Sequence, residues 1–358
     1  MLHIGVDVHK KTCVLVAKTT EGQLVEKMRF PNEPTAWKTT FARFPAKTPV
    51  AVECVGFYQP ILELLEQLQF DVKLVDARKV RLIATSKKKT DHHDANTLCD
   101  LLRSGFLPTS HVPSRKARDM RELSRALDRT VKDMTAVKNR IHRLFERAWV
   151  ETPDVSDLFG DEGRAWLETV ALQPVHRLLI DLFLKELDTL LHAHADLLAA
   201  LAFLGRDDED VDTMLSANGV GLVTALTLKA EIDDVSRFPN RKTIRANYGL
   251  AVSVRDSADT QHRGRITKQG PGVVRKVLVQ AAIHHGRSSS SASVRFKRLA
   301  VERGKGVALV ATAADLLDQL YQMLKTRTPS HQANAVTWKR KRADLARLAT
   351  RGETLLLS

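Results

Sequence analysis

The sequence predicts an α/β domain at the N-terminus, a long α-helical middle with coiled-coil spacing, and a mostly α-helical C-terminal domain. Three observations carry this. Alternating apolar strands are confined to the first 75 or so residues; apolar residues then recur three and four apart from Met120 to Leu201; helical stretches punctuated by glycine and proline follow. The boundaries fall at residues 1–110, 111–204 and 205–326, with a basic tail over 327–358.

A length of 358 residues is enough for two or three such cores. The net charge of +14 favours a polyanionic partner, of which phosphate backbones are the commonest. Cys13, Cys54 and Cys99 are odd in number and lack metal-ligand spacing, so they read as reduced core thiols. The chain opens directly into strand-like sequence, and no run of about eighteen apolar residues occurs. The expectation is a cytoplasmic, nucleoid-associated protein with no membrane partner.

Leu2 to Val8 alternates towards one apolar face and predicts a strand; Cys13–Ala17 and Leu24–Phe30 predict two more around the turn at Glu21-Gly22. A helix is expected over Glu33–Phe44, and Thr48-Pro49 breaks the chain before a buried fourth strand at Val50–Val55. Gln59–Leu68 reads as helix and Phe70–Val75 as a fifth strand. The order β-β-β-α-β-α-β-α is that of a ribonuclease-H-like domain.

Asp7 lies mid-strand among aliphatics and Glu53 in the apolar fourth strand, where an unpartnered carboxylate is expensive. Asp91 and Asp94, at the head of the helical stretch that follows Lys89-Thr90, share one helix face. Taken alone, that pair reads first as a capped helix start, with Asp91 as N-cap and Asp94 in the first turn. Four carboxylates converging at strand ends would hold two Mg²⁺ ions, which activate a nucleophile and stabilise a leaving oxygen on phosphate.

Met120, Leu123, Leu127, Thr130, Met134, Val137, Ile141, Leu144 and Ala148 form a sustained heptad, and Ile180 to Leu201 form a second after Pro174. Such a pair makes an antiparallel hairpin or an oligomerisation coil. His194 at a seam position reads as a tolerated polar register residue. Arg and Lys crowd the first helix, as a solvated face or as a track for phosphates.

Met214–Ala225 is a turn between helices whose Gly219-Val220-Gly221 resembles a helix-hairpin-helix. Tyr248-Gly249-Leu250 precedes an expected polar loop over Val254–Gly270, and helix resumes near Gly272 with Arg275 on its first turns. The tail beyond Pro329 carries Lys339-Arg340-Lys341-Arg342 and reads as a basic helix or a partly disordered arm.

Gly5-Val6-Asp7-Val8-His9-Lys10, Val52-Glu53-Cys54-Val55-Gly56-Phe57-Tyr58 and Lys89-Thr90-Asp91-His92-His93-Asp94-Ala95 resemble the motifs of insertion-sequence transposases with a RuvC-like DEDD domain. Tyr248-Gly249-Leu250, a following serine and Arg263-Gly264-Arg265-Ile266-Thr267-Lys268-Gln269-Gly270 resemble the C-terminal domain of the same family, the bridge-RNA-guided recombinases. The resemblance implies that Asp7, Glu53, Asp91 and Asp94 are the DEDD set and bind Mg²⁺. It implies that Ser257 is the nucleophile, forming a transient phosphoserine link to a cleaved DNA strand; Ser253 is the rival. His92 and His93 match no ligand of the family. The sequence departs from the family pattern at Val252, Ala258 and Pro271-Gly272.

The function so implied is a DNA transposase or recombinase that cuts and rejoins strands, probing element ends and target with Arg263, Arg265, Lys268 and Arg275. A structured guide RNA and a homo-oligomer, dimer or tetramer with the two domains sharing a composite site, are further implied partners. Two rival functions fit the same residues: a metal-dependent RuvC-like nuclease or junction resolvase with no serine chemistry, and a non-catalytic nucleic-acid-binding protein.

Overall fold

The computed structural model describes residues 1–53, 56, 58–76, 79–80, 83, 91–257, 260–287 and 291–357, with the side chains of 91–93, 254–257, 260–263 and 291–292 outside that description. Of the residues singled out above, Cys54, Val55, Phe57, Lys89, Thr90 and Ala258 lie outside the described residues. The chain divides into two compact units, Met1–Pro113 and Ser114–Ser358.

The first unit is a mixed α/β layer. Strands β1 (Leu2–Val8), β2 (Thr12–Thr19) and β3 (Leu24–Pro31) form an antiparallel meander, followed by helix α1 (Pro34–Phe41). Then come β4 (Pro49–Glu53), α2 (Tyr58–Gln67), β5 (Asp71–Val75), α3 (Asp91–Arg103) and β6 (Thr109–Ser110). The sheet order is β3-β2-β1-β4-β5-β6, with β4 parallel to both β1 and β5. Side chains alternate across a strand, and both faces are covered. Ile4, Val6, Leu15 and Val52 pack with Trp37, Phe41 and Leu65 on one side. Val14 and Val16 pack with Ala95 and Cys99 of α3 on the other. The two-residue β6, antiparallel to β5, is absent from the sequence reading because so short a strand leaves no periodic signal.

The second unit is mostly helical. The first heptad is α4 (Arg115–Ala148); α5 (Asp161–Thr169) precedes the second heptad, α6 (Pro174–Gly205). Helices α4 and α6 pair antiparallel within one chain. Val137, Ile141 and Leu144 share a core with Ile180 and Leu187, Met120 and Leu127 share another with Leu201, and Arg140 bridges Glu186 with both guanidinium Nη atoms at 3.1 and 2.8 Å. The two heptads thus pack on each other within the chain. Leu191, expected at the seam, is instead 43% exposed.

Beyond the hairpin lie α7 (Glu209–Leu215), α8 (Leu222–Ile232), α9 (Arg241–Asn247), strands β7 (Val252–Ser257) and β8 (Thr260–Ile266), α10 (Gly272–His285), α11 (Ser291–Arg303), α12 (Lys305–Thr326) and α13 (Ala335–Leu357). One expectation fails here. The segment 254–270 is not a loop: most of it is an antiparallel β-hairpin, Ser257 pairing with Thr260 and Val252 with Ile266. Of the two readings of the tail, the basic helix is the one found: α13 packs along α6, with Leu345, Ala349 and Gly352 buried. Its apolar positions, Trp338, Leu345, Ala349 and Gly352, repeat at helical spacing beneath the basic run. Lys341 Nζ donates to the carbonyls of Leu215 (2.8 Å) and Ala217 (3.2 Å), capping the end of α7. By length and composition α6 could cross a membrane; here it is a packed helix with α4 on one flank and α13 on another.

Candidate active site

The register of the parallel pair brings two acids together. Val6 pairs with Val52, and Asp7 and Glu53 are the next residues on their strands. Both carboxylates therefore leave the same face at the same level, on strands about 4.8 Å apart. That face is the one α3 covers. A Cβ at Gly5 would lie 2.3 Å from the carbonyl oxygen of Ala95 and 2.5 Å from the amide of Cys99, so only glycine lets the helix sit this close.

The direction of α3 follows from its anchors. Cys99 Sγ donates to the carbonyl of His3 at 3.1 Å, Lys18 Nζ donates to both carboxylate oxygens of Asp100 at 2.8 Å, and Arg103 reaches the carbonyl of Thr20 at 3.2 Å. From Ala95 to Arg103 the helix thus runs towards the start of β1. Its first turn, Asp91 to Asp94, lies at the opposite end, over the level of Asp7 and Glu53. Strand register places Asp7 and Glu53 side by side, and one glycine lets α3 lie close over that face.

Asp7 is 3% exposed; Glu53 and Asp94 are half-buried. His9 Nε2 stands 3.1 Å from Asp7 Oδ2 and was given no role in the sequence reading. The spacing was the available signal, since residues two apart on an extended chain lie on one side. Burial pushes the Cys13 thiol up to about 12; a backbone hydrogen bond at His9 opposes this and the Asp7 charge adds to it. The Cys99 thiol is likewise pushed up to about 11, chiefly by burial. Both are inert core thiols rather than ligands. Among the described residues no three His, Cys, Asp or Glu side chains stand close enough to hold a metal ion together, and the Asp91 side chain lies outside the described residues.

In the second unit, Ser257 ends β7. The side chains of Ser257 and Arg263 are outside the description, while Arg265 and Lys268 are exposed. The Ser253 hydroxyl donates to the carbonyl of Arg265 at 3.0 Å across the hairpin. Arg275 is half-buried, and its Nη1 donates to main-chain carbonyls rather than projecting freely from α10.

Two family models match this chain in order, a DEDD transposase model of the IS110 group over residues 4–150 and a transposase model of the IS116/IS110/IS902 family over residues 211–296. The chain belongs to the IS110/IS116 family of insertion-sequence transposases. The transposase for insertion sequence element IS1111A of Coxiella burnetii is 24% identical over 269 residues, spanning 74% of this chain and 73% of that protein. The transposase for IS1328 of Yersinia enterocolitica is 24% identical over 293 residues, spanning 78% and 82%. The transposase homologues suggest a DNA strand-transfer enzyme, and the DEDD-type region suggests the use of a divalent metal. Asp7, Glu53, Asp91 and Asp94 all fall within the first match, and the β7–β8 hairpin and Arg275 within the second.

Proposed function

We propose that this transposase cuts and rejoins DNA through a RuvC-like carboxylate site formed by Asp7, Glu53, Asp91 and Asp94, together with a serine nucleophile, Ser257. The observation that carries the first half is the convergence of Asp7 and Glu53, in register on parallel strands, beneath the first turn of α3. A strand order of 3-2-1-4-5 with β1, β4 and β5 parallel supports the ribonuclease-H-like reading. The donors are hard oxygens, which suit Mg²⁺. When bound, the metal supplies charge stabilisation to the attacked phosphate and its leaving oxygen.

On this reading Ser257 Oγ loses its proton and bonds to phosphorus, while the bond from phosphorus to the leaving sugar oxygen breaks and that oxygen takes up a proton. The phosphoserine link conserves the phosphodiester energy, so a hydroxyl of a second strand reverses the step and joins the new ends. Ser257 is preferred over Ser253 because the Ser253 hydroxyl is engaged within the hairpin. Exposed Arg265 and Lys268 would meet phosphate. The net charge of +14 supports a second polyanion, a structured guide RNA.

The test is to trap a covalent protein–DNA adduct with Mg²⁺, co-purified RNA and element-end DNA. An adduct lost in Ser257→Ala and in Asp94→Ala supports the reading. Cleavage without an adduct would instead make this a metal-dependent nuclease, and binding without chemistry a non-catalytic protein.

A further inference from the structure

Resting on the reading of Ser257 as nucleophile, we infer that Arg275 is a positioning residue that clasps the base of the serine hairpin, rather than a contact to nucleic acid. The β7–β8 hairpin is a two-stranded sheet of its own, and such hairpins are marginal unless something outside them holds them. What holds this one is built at its base. Arg275 Nη1, from the first turns of α10, donates to the carbonyls of Tyr248 at 3.0 Å, Gln269 at 2.7 Å and Gly270 at 3.3 Å. Tyr248 leads into β7, and Gln269 and Gly270 lead out of β8. One guanidinium nitrogen therefore ties the entering and leaving chains together.

Those two chains pass at backbone contact. Gly249 and Gly270 both have positive φ, 67° and 70°, and a Cβ at either would lie 2.4 Å from Gln269 or 2.1 Å from the carbonyl of Asn247. The amides of Thr267 and Lys268 donate across the same junction to Ala251 (2.9 Å) and Gly249 (3.1 Å). Tyr248 itself is anchored, 1% exposed and within 3.3 Å of Arg237 through its hydroxyl.

The clasp matters because the hairpin is a lever. Ser257 is five residues beyond Val252, so about 17 Å of extended chain separates the nucleophile from the base. A tilt of a few degrees at the base shifts the serine by about 1 Å, a displacement that can cost on the order of a hundredfold in rate. A planar guanidinium shares its N–H groups among three carbonyls; a lysine ammonium keeps the charge without that geometry.

The experiment compares wild type with Arg275→Lys and Gly270→Ala, the second opening the clasp from the other side with Arg275 intact. Hydrogen exchange at the Thr267 and Lys268 amides is expected to speed up at least tenfold in both variants, with α8 and α12 amides unchanged. Adduct formation should slow at least tenfold while DNA affinity and its salt dependence stay as in wild type. Unchanged exchange in Arg275→Lys, or a salt slope reduced by about one phosphate contact, would overturn the proposal. Because exchange is read without any reaction, it stands apart from the Ser257→Ala adduct test: faster exchange with an adduct that survives Ser257→Ala would sink the serine reading and leave the clasp as a fold element only, overturning its positioning role.

Discussion

Asp7 sits in a strand with hydrogen-bonded neighbours on both sides and a helix across its face, whereas Ser257 sits at the end of a two-stranded hairpin whose described sheet partner is its own other strand. The acid is fixed by layers of packing: Val14, Val16, Ala95 and Cys99 fill the space around it. The serine is fixed at a distance, through carbonyls gathered at the hairpin base. On the proposed reading, a carboxylate set that holds a cation at close range gains from the first arrangement, since its ligands are pre-organised. On the same reading, a serine nucleophile that reaches a strand and later releases it gains from the second, in which the anchor and the reacting atom are separate.

Substitutions can break this comparison on either side. The largest effect is expected from Asp7→Asn, which removes one charge from the carboxylate set with little change in volume. Strand cleavage of element-end DNA should fall by roughly a hundredfold or more, the scale for losing one charge-stabilising group. Near-normal cleavage would detach the end of β1 from the chemistry.

Gly5→Val tests the packing itself. Its side chain would collide with the α3 backbone, so the first unit should lose about 1–3 kcal/mol of stability in denaturant titration. The second unit, folding around separate cores, should keep its own transition. Loss in both would mean that the units do not unfold independently.

Ser253→Ala sharpens the other side. It removes the hydrogen bond to Arg265 and should cost about 1 kcal/mol locally, slowing adduct formation by no more than about tenfold. Abolition of the adduct would transfer the nucleophile role to Ser253.

The smallest effect concerns His194 on α6. Burial lowers its pKa, so the unfolded chain binds the proton more readily than the folded one. Stability from this group is therefore present above its unfolded pKa near 6.5 and declines as pH falls below it. His194→Gln should flatten that decline in thermal melts between about pH 5 and 7; an unchanged decline would place its source elsewhere.

The first unit was legible because its strands carry strong alternation. Cys13, Leu15 and Ala17 face one side and Val14 and Val16 the other, which fixes the register. Within those faces, the β1–β4 pairing of Val6 with Val52 makes Asp7 and Glu53 neighbours. The hairpin was illegible for the opposite reason. Polar residues stand at consecutive positions, Arg255-Asp256 and Gln261-His262-Arg263, so no apolar alternation in the sequence marks it as sheet. Its determinants lie in the glycines at 249 and 270 and in an arginine on the following helix, and a carbonyl clasp has no periodicity. The same holds for Arg275, whose charge on the first turns of a helix suggests phosphate until its partners are seen.

The most direct test of the carboxylate site is a titration of Mn²⁺ by electron paramagnetic resonance, with full-length wild type, Asp7→Asn, Glu53→Gln and Asp94→Asn. Saturable binding in wild type that weakens at least tenfold in each variant is the expected result. Equal binding by all four proteins would contradict a metal site at the ends of these central strands.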